Sequence, residues 1–164
     1  MELRPGRLIN VTLNILVAED NADDVFLLRH AFKRAGLDGP LFVVTDGVEA
    51  IAYLNGDGVF ADRAAHPLPD LLLLDLNMPR KDGFEVLEWV RANPRWARLM
   101  VHVLTASSRV TDVERAYELH ANSYTVKPNR MDQLAAFAVA LRQWHGFVSL
   151  ARAAVKEEGA AHLL

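Results

Sequence analysis

Five short runs of this chain are apolar at nearly every position, and they alternate with segments of helical pattern. The runs lie at residues 15–18, 41–44, 71–74, 101–104 and 124–126. Apolar runs without period-two alternation are typical of strands covered on both faces, and intervening helices impose parallel crossovers. The sequence therefore predicts an α/β fold, with a parallel sheet built from five successive βα units.

Start and stop signals mark the predicted helices. Asn21 is expected to cap the first helix through its side-chain oxygen, and Gly36 to end it. Thr111 and Glu114 have the spacing of a capping box. Further helices are predicted at residues 48–54, 84–92, 111–120 and from Met131 onward.

The size and charge of the chain indicate one compact domain and exclude several classes of protein. Its 164 residues suffice for a single core. A net charge of −3 and a pI near 6.0 give no basic face for nucleic acid. The chain has no cysteine and no apolar run long enough for a membrane span, so we expect a cytoplasmic protein. We expect a tail at residues 1–13, a domain at 14–150 and a partly frayed extension at 151–164.

Polar residues follow four of the predicted strands. They are Glu19, Asp20, Asp75, Thr105 and Lys127. Ligands of open α/β sheets bind beyond the carboxyl ends of the strands, so these side chains should converge. Three carboxylates in one crevice repel each other and favour a divalent cation. Magnesium fits better than calcium, because so few protein ligands leave positions for water and a phosphoryl oxygen.

Asp75 follows a run of four leucines, so its carboxylate should be held in a fixed position facing the crevice. Such a carboxylate can act as a nucleophile and form an acyl phosphate. Lys127 would stabilise the transferred group, with Thr105 and the backbone N–H of Ala106 as further donors. Pro128 biases Lys127 toward an extended backbone.

These residues and their spacing resemble the receiver domain of two-component response regulators over residues 14–147. The phosphoacceptor of that family matches Asp75, and its acidic pair matches Glu19 and Asp20, where many members carry Asp at the first position. Its hydroxyl matches Thr105 and its lysine-proline pair matches Lys127 and Pro128. The resemblance implies a doubly wound, flavodoxin-like sheet with strand order 2-1-3-4-5.

Further roles are implied by this resemblance. Magnesium would be bound by Glu19, Asp20, Asp75 and the backbone carbonyl of Asn77. The Lys127–Pro128 peptide bond would be cis. Thr105 and Tyr124 would act as the switch pair that reports phosphorylation. The partner would be a sensor histidine kinase. The long loop at 55–70 and the motif at 75–83 resemble the single-domain receivers that partner bacterial phytochrome kinases.

Three alternatives remain at this stage. A haloacid dehalogenase phosphatase needs a second aspartate two residues after the nucleophile, where this chain has Asn77. A flavodoxin-like cofactor site needs glycine or hydroxyl residues after the first strand, where Glu19 and Asp20 stand. A degenerate receiver that only binds a protein partner is the stronger rival, although none of the family's reactive residues is missing.

The last helix carries two apolar strips. One strip should pack on the sheet, and the second predicts a homodimer through the face made by this helix and its neighbours. The alternative is a longer helix folded over its own core. Phe26 lies off the core stripe of the first helix and would either contact a kinase or pack under the last helix. The first strip is Leu134, Phe137, Ala138, Leu141, Trp144 and Val148; the second is Ala136, Ala140 and Phe147.

Overall fold

The computed structural model describes residues 13–37 and 39–145, and five strands in it form one parallel sheet. The strand order is β2-β1-β3-β4-β5, so the predicted order 2-1-3-4-5 and the flavodoxin-like α/β class are confirmed. Every neighbouring pair of strands is parallel. The strands are β1 (Ile15–Ala18), β2 (Leu41–Val44), β3 (Leu71–Leu74), β4 (Met100–Thr105) and β5 (Ser123–Val126).

Helices connect the strands and cover both faces of the sheet. Asn21 caps α1, with its side-chain oxygen accepting hydrogen bonds from the N–H groups of Asp23 and Asp24. Within the described ranges, no helix has the length and apolar character that a bilayer crossing requires. The helices are α1 (Ala22–Arg34), α2 (Gly47–Asn55), α3 (Gly83–Ala92), α4 (Val110–Glu118) and α5 (residues 131–145), with a 3₁₀ turn at Gly58–Phe60.

The predicted capping box at Thr111 and Glu114 is wrong. The α4 helix starts at Val110 after Arg109, which makes no side-chain cap. The buried Asp112 instead accepts hydrogen bonds from Ser107 Oγ at 2.5 Å and Arg109 Nε at 3.0 Å. These contacts fix the start of the helix without a hydroxyl cap.

Two hydrophobic clusters lie on opposite faces of the sheet. The four leucines of β3 are buried and supply both clusters alternately, since successive side chains of a strand point to opposite faces. Leu72 and Leu74 contact α2 and α3, whereas Leu71 and Leu73 contact α1 and α5. This double coverage explains why the strand is apolar at every position.

The α5 helix packs on the sheet as predicted, through Leu134, Ala138 and Leu141, which are all buried. Trp144 departs from that strip and is 41% exposed. Residues 1–12 of the expected tail, the extension 151–164, and Phe147 and Val148 of the two strips lie outside the described residues.

Candidate functional site

Three carboxylates meet at the carboxyl ends of β1 and β3. Ligand atoms of Glu19, Asp20 and Asp75 all lie within 4.8 Å of one another. The two strands are adjacent, with Ala18 paired to Leu74, and the Asp75 N–H donates to the Ala18 carbonyl at 3.0 Å. Glu19 and Asp75 are buried and Asp20 is exposed, so the group opens to solvent on one side.

Lys127 lies among these carboxylates. Its Nζ is 2.5 Å from Glu19 Oε2 and 3.2 Å from Asp75 Oδ2, and its side chain is 16% exposed. The Lys127 backbone N–H donates to the Thr105 carbonyl at 2.7 Å, which continues the β4–β5 pairing one step past the end of β5. The sheet therefore fixes the backbone of Lys127, and the side chain extends from there to the carboxylates.

The ionisation of this group follows from burial and ion pairing. Burial raises the pKa of Glu19, and the hydrogen bond from Lys127 offsets part of that rise. Burial alone would lower the pKa of Lys127, but hydrogen bonds to Asp24 and Glu19 raise it above its ordinary value. Lys127 is therefore a firmly charged cation, and the raised pKa of Glu19 indicates that Lys127 offsets only part of the effect of burial on that carboxylate.

The backbone after β3 fixes the Asp75 carboxylate. The Asn77 N–H donates to Asp75 Oδ1 at 3.3 Å, while Oδ2 accepts from Lys127. The α3 helix starts directly against this segment, because the Gly83 N–H donates to the Leu76 carbonyl at 3.0 Å. A Cβ at Gly83 would lie 2.3 Å from the Asp75 carbonyl oxygen, so only glycine permits this approach.

The predicted hydroxyl lies at the end of β4. Thr105 is fully buried, and its Oγ1 accepts from the Ser107 N–H at 3.4 Å. Ala106 follows as an exposed residue. Their roles as donors to a phosphoryl group, and that of the Asn77 carbonyl as a metal ligand, stay predictions.

The donor set suits a hard divalent cation. Carboxylate oxygens are the ligands that Mg²⁺ and Mn²⁺ prefer, and the partial exposure of Asp20 leaves room for water and a phosphoryl oxygen. Glu19, Asp20 and Asp75 therefore fit a divalent metal. Its positive charge would take over from Lys127 in neutralising these carboxylates.

Comparison with known proteins decides the family. Residues 15–138 match the model of the response regulator receiver domain. This chain belongs to that family.

The similar proteins include regulators of phytochrome pathways. Response regulator Rcp1 of Synechocystis is 40% identical over 120 residues, which cover 73% of this chain and 80% of Rcp1. The crystal structure of the phosphorylated cyanobacterial phytochrome response regulator RcpA has a TM-score of 0.73 at 36% identity and covers 80% of this chain and 92% of RcpA. The Mn²⁺-bound form of Rcp1 has a TM-score of 0.70 at 37% identity, with coverage of 79% and 91%.

Membership settles the general role of the chain. It is a receiver homologous to phytochrome response regulators, with the role of phosphoacceptor in two-component signalling. Receiver domains bind a divalent metal and act as signalling switches rather than as enzymes with metabolite substrates.

One predicted feature of the receiver is wrong. No cis peptide bond occurs in the described part of the chain, so the Lys127–Pro128 bond is trans. The trans form of a bond to proline is favoured by about 0.5–1 kcal/mol. Lys127 already reaches Glu19 and Asp75 with the trans bond, so its contacts do not require the less stable isomer.

The structure places Tyr124 in a network that the sequence did not reveal. Its hydroxyl donates to the Ser107 carbonyl at 2.9 Å, and the Ser107 hydroxyl donates to the buried Asp112 at the start of α4. The predicted switch residue thus contacts the segment that follows Thr105. Ser107 and Asp112 carry no sequence signal for this role, since serine and aspartate are common in loops and first turns.

Asp24 is a second residue that sequence reasoning missed. Its Oδ2 lies 2.8 Å from Lys127 Nζ, whereas sequence alone predicts only that an acidic residue in a first turn complements the helix dipole. Asp23 and Asp24 both stand in the first turn of α1, and the sequence does not distinguish which one faces the site.

Proposed function

We propose that Asp75 receives a phosphoryl group from the phosphohistidine of a sensor histidine kinase. The observation that carries this proposal is the environment of Asp75. It is a buried carboxylate with one oxygen against Lys127 Nζ and the other against the Asn77 N–H, and it lies beside two further acids. A nucleophile for phosphoryl transfer needs this fixed position together with positive charge around the transferred group.

In the proposed reaction, an Asp75 oxygen attacks phosphorus, the P–O bond forms, and the P–N bond to the kinase imidazole breaks. Mg²⁺ bound by Glu19, Asp20, Asp75 and the Asn77 carbonyl would neutralise charge on the phosphoryl oxygens. Lys127 and Thr105 would donate to these oxygens, together with the Ala106 N–H. Lys127 would then exchange its contacts with the Glu19 and Asp75 carboxylates for contacts with the phosphoryl oxygens.

We further propose that the receiver assists the hydrolysis of its own aspartyl phosphate. The same donors would stabilise phosphoryl transfer to water. Asn77, two residues after Asp75, is neutral and cannot act as a general acid or base. Steady phosphatase turnover of added substrates is therefore not expected, and the chain would act as a switch with a limited lifetime.

Thr105 and Tyr124 are the proposed switch pair. Tyr124 contacts the Ser107 carbonyl two residues after Thr105. A displacement of Thr105 toward the new phosphoryl charge would change this contact and shift the population of two states at the outer face.

The proposed partners follow from similarity and exposed apolar residues. Similarity to Rcp1 and RcpA supports a bacterial phytochrome kinase as the phosphoryl donor. Phe26 and Leu27 on α1 are 68% and 41% exposed, so Phe26 is available for kinase contact and is not packed under α5. The cytoplasmic location and the domain limits of 14–150 remain predictions.

A homodimer through α4, β5 and α5 is the proposed output surface. Five large apolar residues on these elements are exposed, and Ala136 and Ala140 of the second predicted strip are exposed as well. Exposed apolar residues that form a contiguous patch are typical of a protein interface. The five residues are Val110, Tyr117, Val126, Val139 and Trp144.

The experiment that tests the phosphoacceptor is intact mass spectrometry after incubation with acetyl phosphate, with and without Mg²⁺. We expect a gain of one phosphoryl group, about 80 Da, that depends on Mg²⁺. Asp75→Asn should abolish the gain in mass. Asp20→Asn leaves the acceptor intact and should lower the rate of phosphorylation when Mg²⁺ is limiting.

The contrary result is a folded protein without a mass increase at any Mg²⁺ concentration. That result would replace the phosphoacceptor with the degenerate receiver, a constitutive binding module. A gain that persists in Asp75→Asn would assign the acceptor to another residue.

A further inference from the structure

The three carboxylates that contact Lys127 are of two kinds. Glu19 and Asp75 belong to the acidic triad that fits a metal. Asp24 lies outside the triad, at 2.8 Å from Lys127 Nζ, and its side chain is 37% exposed. Among the described residues, Asp24 is therefore the carboxylate that can pair with Lys127 without also binding the metal.

Asp24 is held by the first turn of α1, and this turn is joined to the triad at Asn21, whose backbone N–H donates to Glu19 Oε1 at 3.1 Å. It stands in the first turn of α1, where the Asn21 side chain accepts a hydrogen bond from its backbone N–H at 3.2 Å. The helix fixes the position of the Asp24 carboxylate, whereas Glu19 and Asp75 stand at the ends of β1 and β3. We expect the hydrogen bonds of α1 to keep Asp24 in place when a metal binds at the strand ends.

A divalent cation and the Lys127 ammonium compete for the same oxygens. Glu19 and Asp75 each contact Lys127 and each supply an atom to the metal-binding group. Like charges at this separation repel, and a divalent cation repels the ammonium twice as strongly as a monovalent cation would. When the metal binds, Lys127 needs another acceptor that keeps it beside Asp75 for the phosphoryl group.

We propose that Asp24 is a positioning residue that retains Lys127 beside Asp75 while a divalent cation occupies Glu19, Asp20 and Asp75. This inference rests on the proposed metal site. It adds a residue that touches neither the metal nor the phosphoryl group and acts through Lys127. Without Asp24, Lys127 would have only Glu19 and Asp75 as carboxylate partners. The metal would then compete with Lys127 for both of them.

The test is calorimetric titration of Mg²⁺ into the full chain and its variants, a measurement that does not depend on phosphorylation. We expect Asp24→Asn to bind Mg²⁺ about 5-fold more weakly, as for the loss of a partly exposed charge pair. Asp23→Asn is the matched control, because it removes the same charge from the same turn and Asp23 shows no ion pair to Lys127 in the described structure. Asp24→Glu should restore most of the affinity.

A double variant separates action through Lys127 from a general charge effect. Lys127→Met should bind Mg²⁺ more tightly than wild type, because the competing cation is gone. In that background, Asp24→Asn should weaken binding no more than Asp23→Asn does. Thermal unfolding of each variant, followed by circular dichroism, verifies that it is folded before titration.

Two results would overturn the inference alone. One is equal Mg²⁺ affinity of Asp24→Asn and Asp23→Asn in the wild-type background. The other is an Asp24→Asn loss that persists in full when Lys127 is methionine. Failure of wild type to bind Mg²⁺ would instead overturn the metal site of the proposed function, and this inference with it.

Discussion

At the scale of single residues, His102 has a constrained environment away from the acidic triad of Glu19, Asp20 and Asp75. Its Nε2 lies 2.9 Å from Thr125 Oγ1, and its Nδ1 contacts Ser123 Oγ. Its ring packs against Phe137 with centroids 5.1 Å apart. Burial lowers the pKa of His102 from 6.5 to about 4, so the folded protein keeps this imidazole neutral.

This environment predicts acid sensitivity of the fold. Between pH 6.5 and 4, His102 is protonated in the unfolded chain and neutral in the folded protein. The free energy of unfolding should therefore fall as the pH falls. The stability that the neutral His102 contributes is fully present above pH 6.5, and about 2 kcal/mol of it should be lost at pH 5. Urea denaturation at pH 7 and pH 5 measures the loss.

His102→Gln should reduce this pH dependence, because glutamine does not titrate. His30→Gln serves as the control, since His30 is exposed on α1. A pH dependence that is equal in wild type and His102→Gln would contradict the prediction.

The residues of the site differ in how far the sequence could predict them. Glu19, Asp75 and Lys127 could be predicted because each follows an apolar strand, and parallel strands bring such residues to one edge. Asp24 could not, because its contact with Lys127 depends on the rotation of α1 over the sheet. The Lys127–Pro128 isomer could not either, since only about 0.5–1 kcal/mol separates the two forms.

At the scale of elements, the loop between β3 and α3 is braced on both sides. The α3 helix starts with Gly83 against the Asp75 carbonyl, and its Asp82 and Glu85 form a capping box. Arg80 forms an ion pair with Asp46, the buried N-cap of α2. The segment that carries Asp75 is therefore fixed by the starts of two helices.

Gly83→Ala should destabilise the receiver, although alanine is intrinsically the better helix former by about 1 kcal/mol. The added Cβ would lie 2.3 Å from a backbone oxygen, and overpacking of this kind costs about 1–3 kcal/mol. Because the displaced oxygen belongs to Asp75, acetyl phosphate labelling should slow as well. Chemical denaturation and intact mass measure the two effects.

Gly58→Ala is the comparison variant. A Cβ at Gly58 meets nothing within 4 Å, so this change adds only the strain of a φ of 57°. Labelling of Gly58→Ala should match wild type. A Gly83→Ala protein with wild-type stability and labelling would refute the close approach of α3 to Asp75.

The elements themselves were largely predictable. Unbroken apolar runs identified the strands, and Asn21 marked the start of α1. The start of α4 was not predictable, because Asp112 bonds to Ser107 and Arg109 in a geometry that only the folded loop creates. Capping patterns describe local hydrogen bonds and do not register such competing partners.

At the scale of the whole molecule, the exposed apolar surface on α4, β5 and α5 predicts self-association. A groove of 340 Å³ between the sheet and the end of α5 adjoins this surface and is lined in part by Phe137, Ala140 and Trp144. Covering exposed apolar area gains about 25 cal/mol per Å², which favours association of two copies.

Sedimentation equilibrium should show a mass that rises with concentration from 18.3 kDa toward twice that value. Val139→Glu, on the exposed strip of α5, should weaken association at least about tenfold, because it buries a charge in an apolar contact. Val59→Glu is the matched control, since Val59 is 80% exposed in the 3₁₀ turn away from this surface. A wild-type mass of 18.3 kDa at every concentration would exclude the dimer.

The hydrogen bond between the Lys127 N–H and the Thr105 carbonyl has a consequence for building chimeric receivers. It makes Lys127 and Thr105 neighbours in the hydrogen-bond pattern between β4 and β5, although the whole of α4 lies between them in the sequence. A segment of any length can replace α4, provided that it restores the hydrogen bond between Lys127 and Thr105. A graft that slips β5 by a single residue would turn the lysine side chain to the opposite face of the sheet.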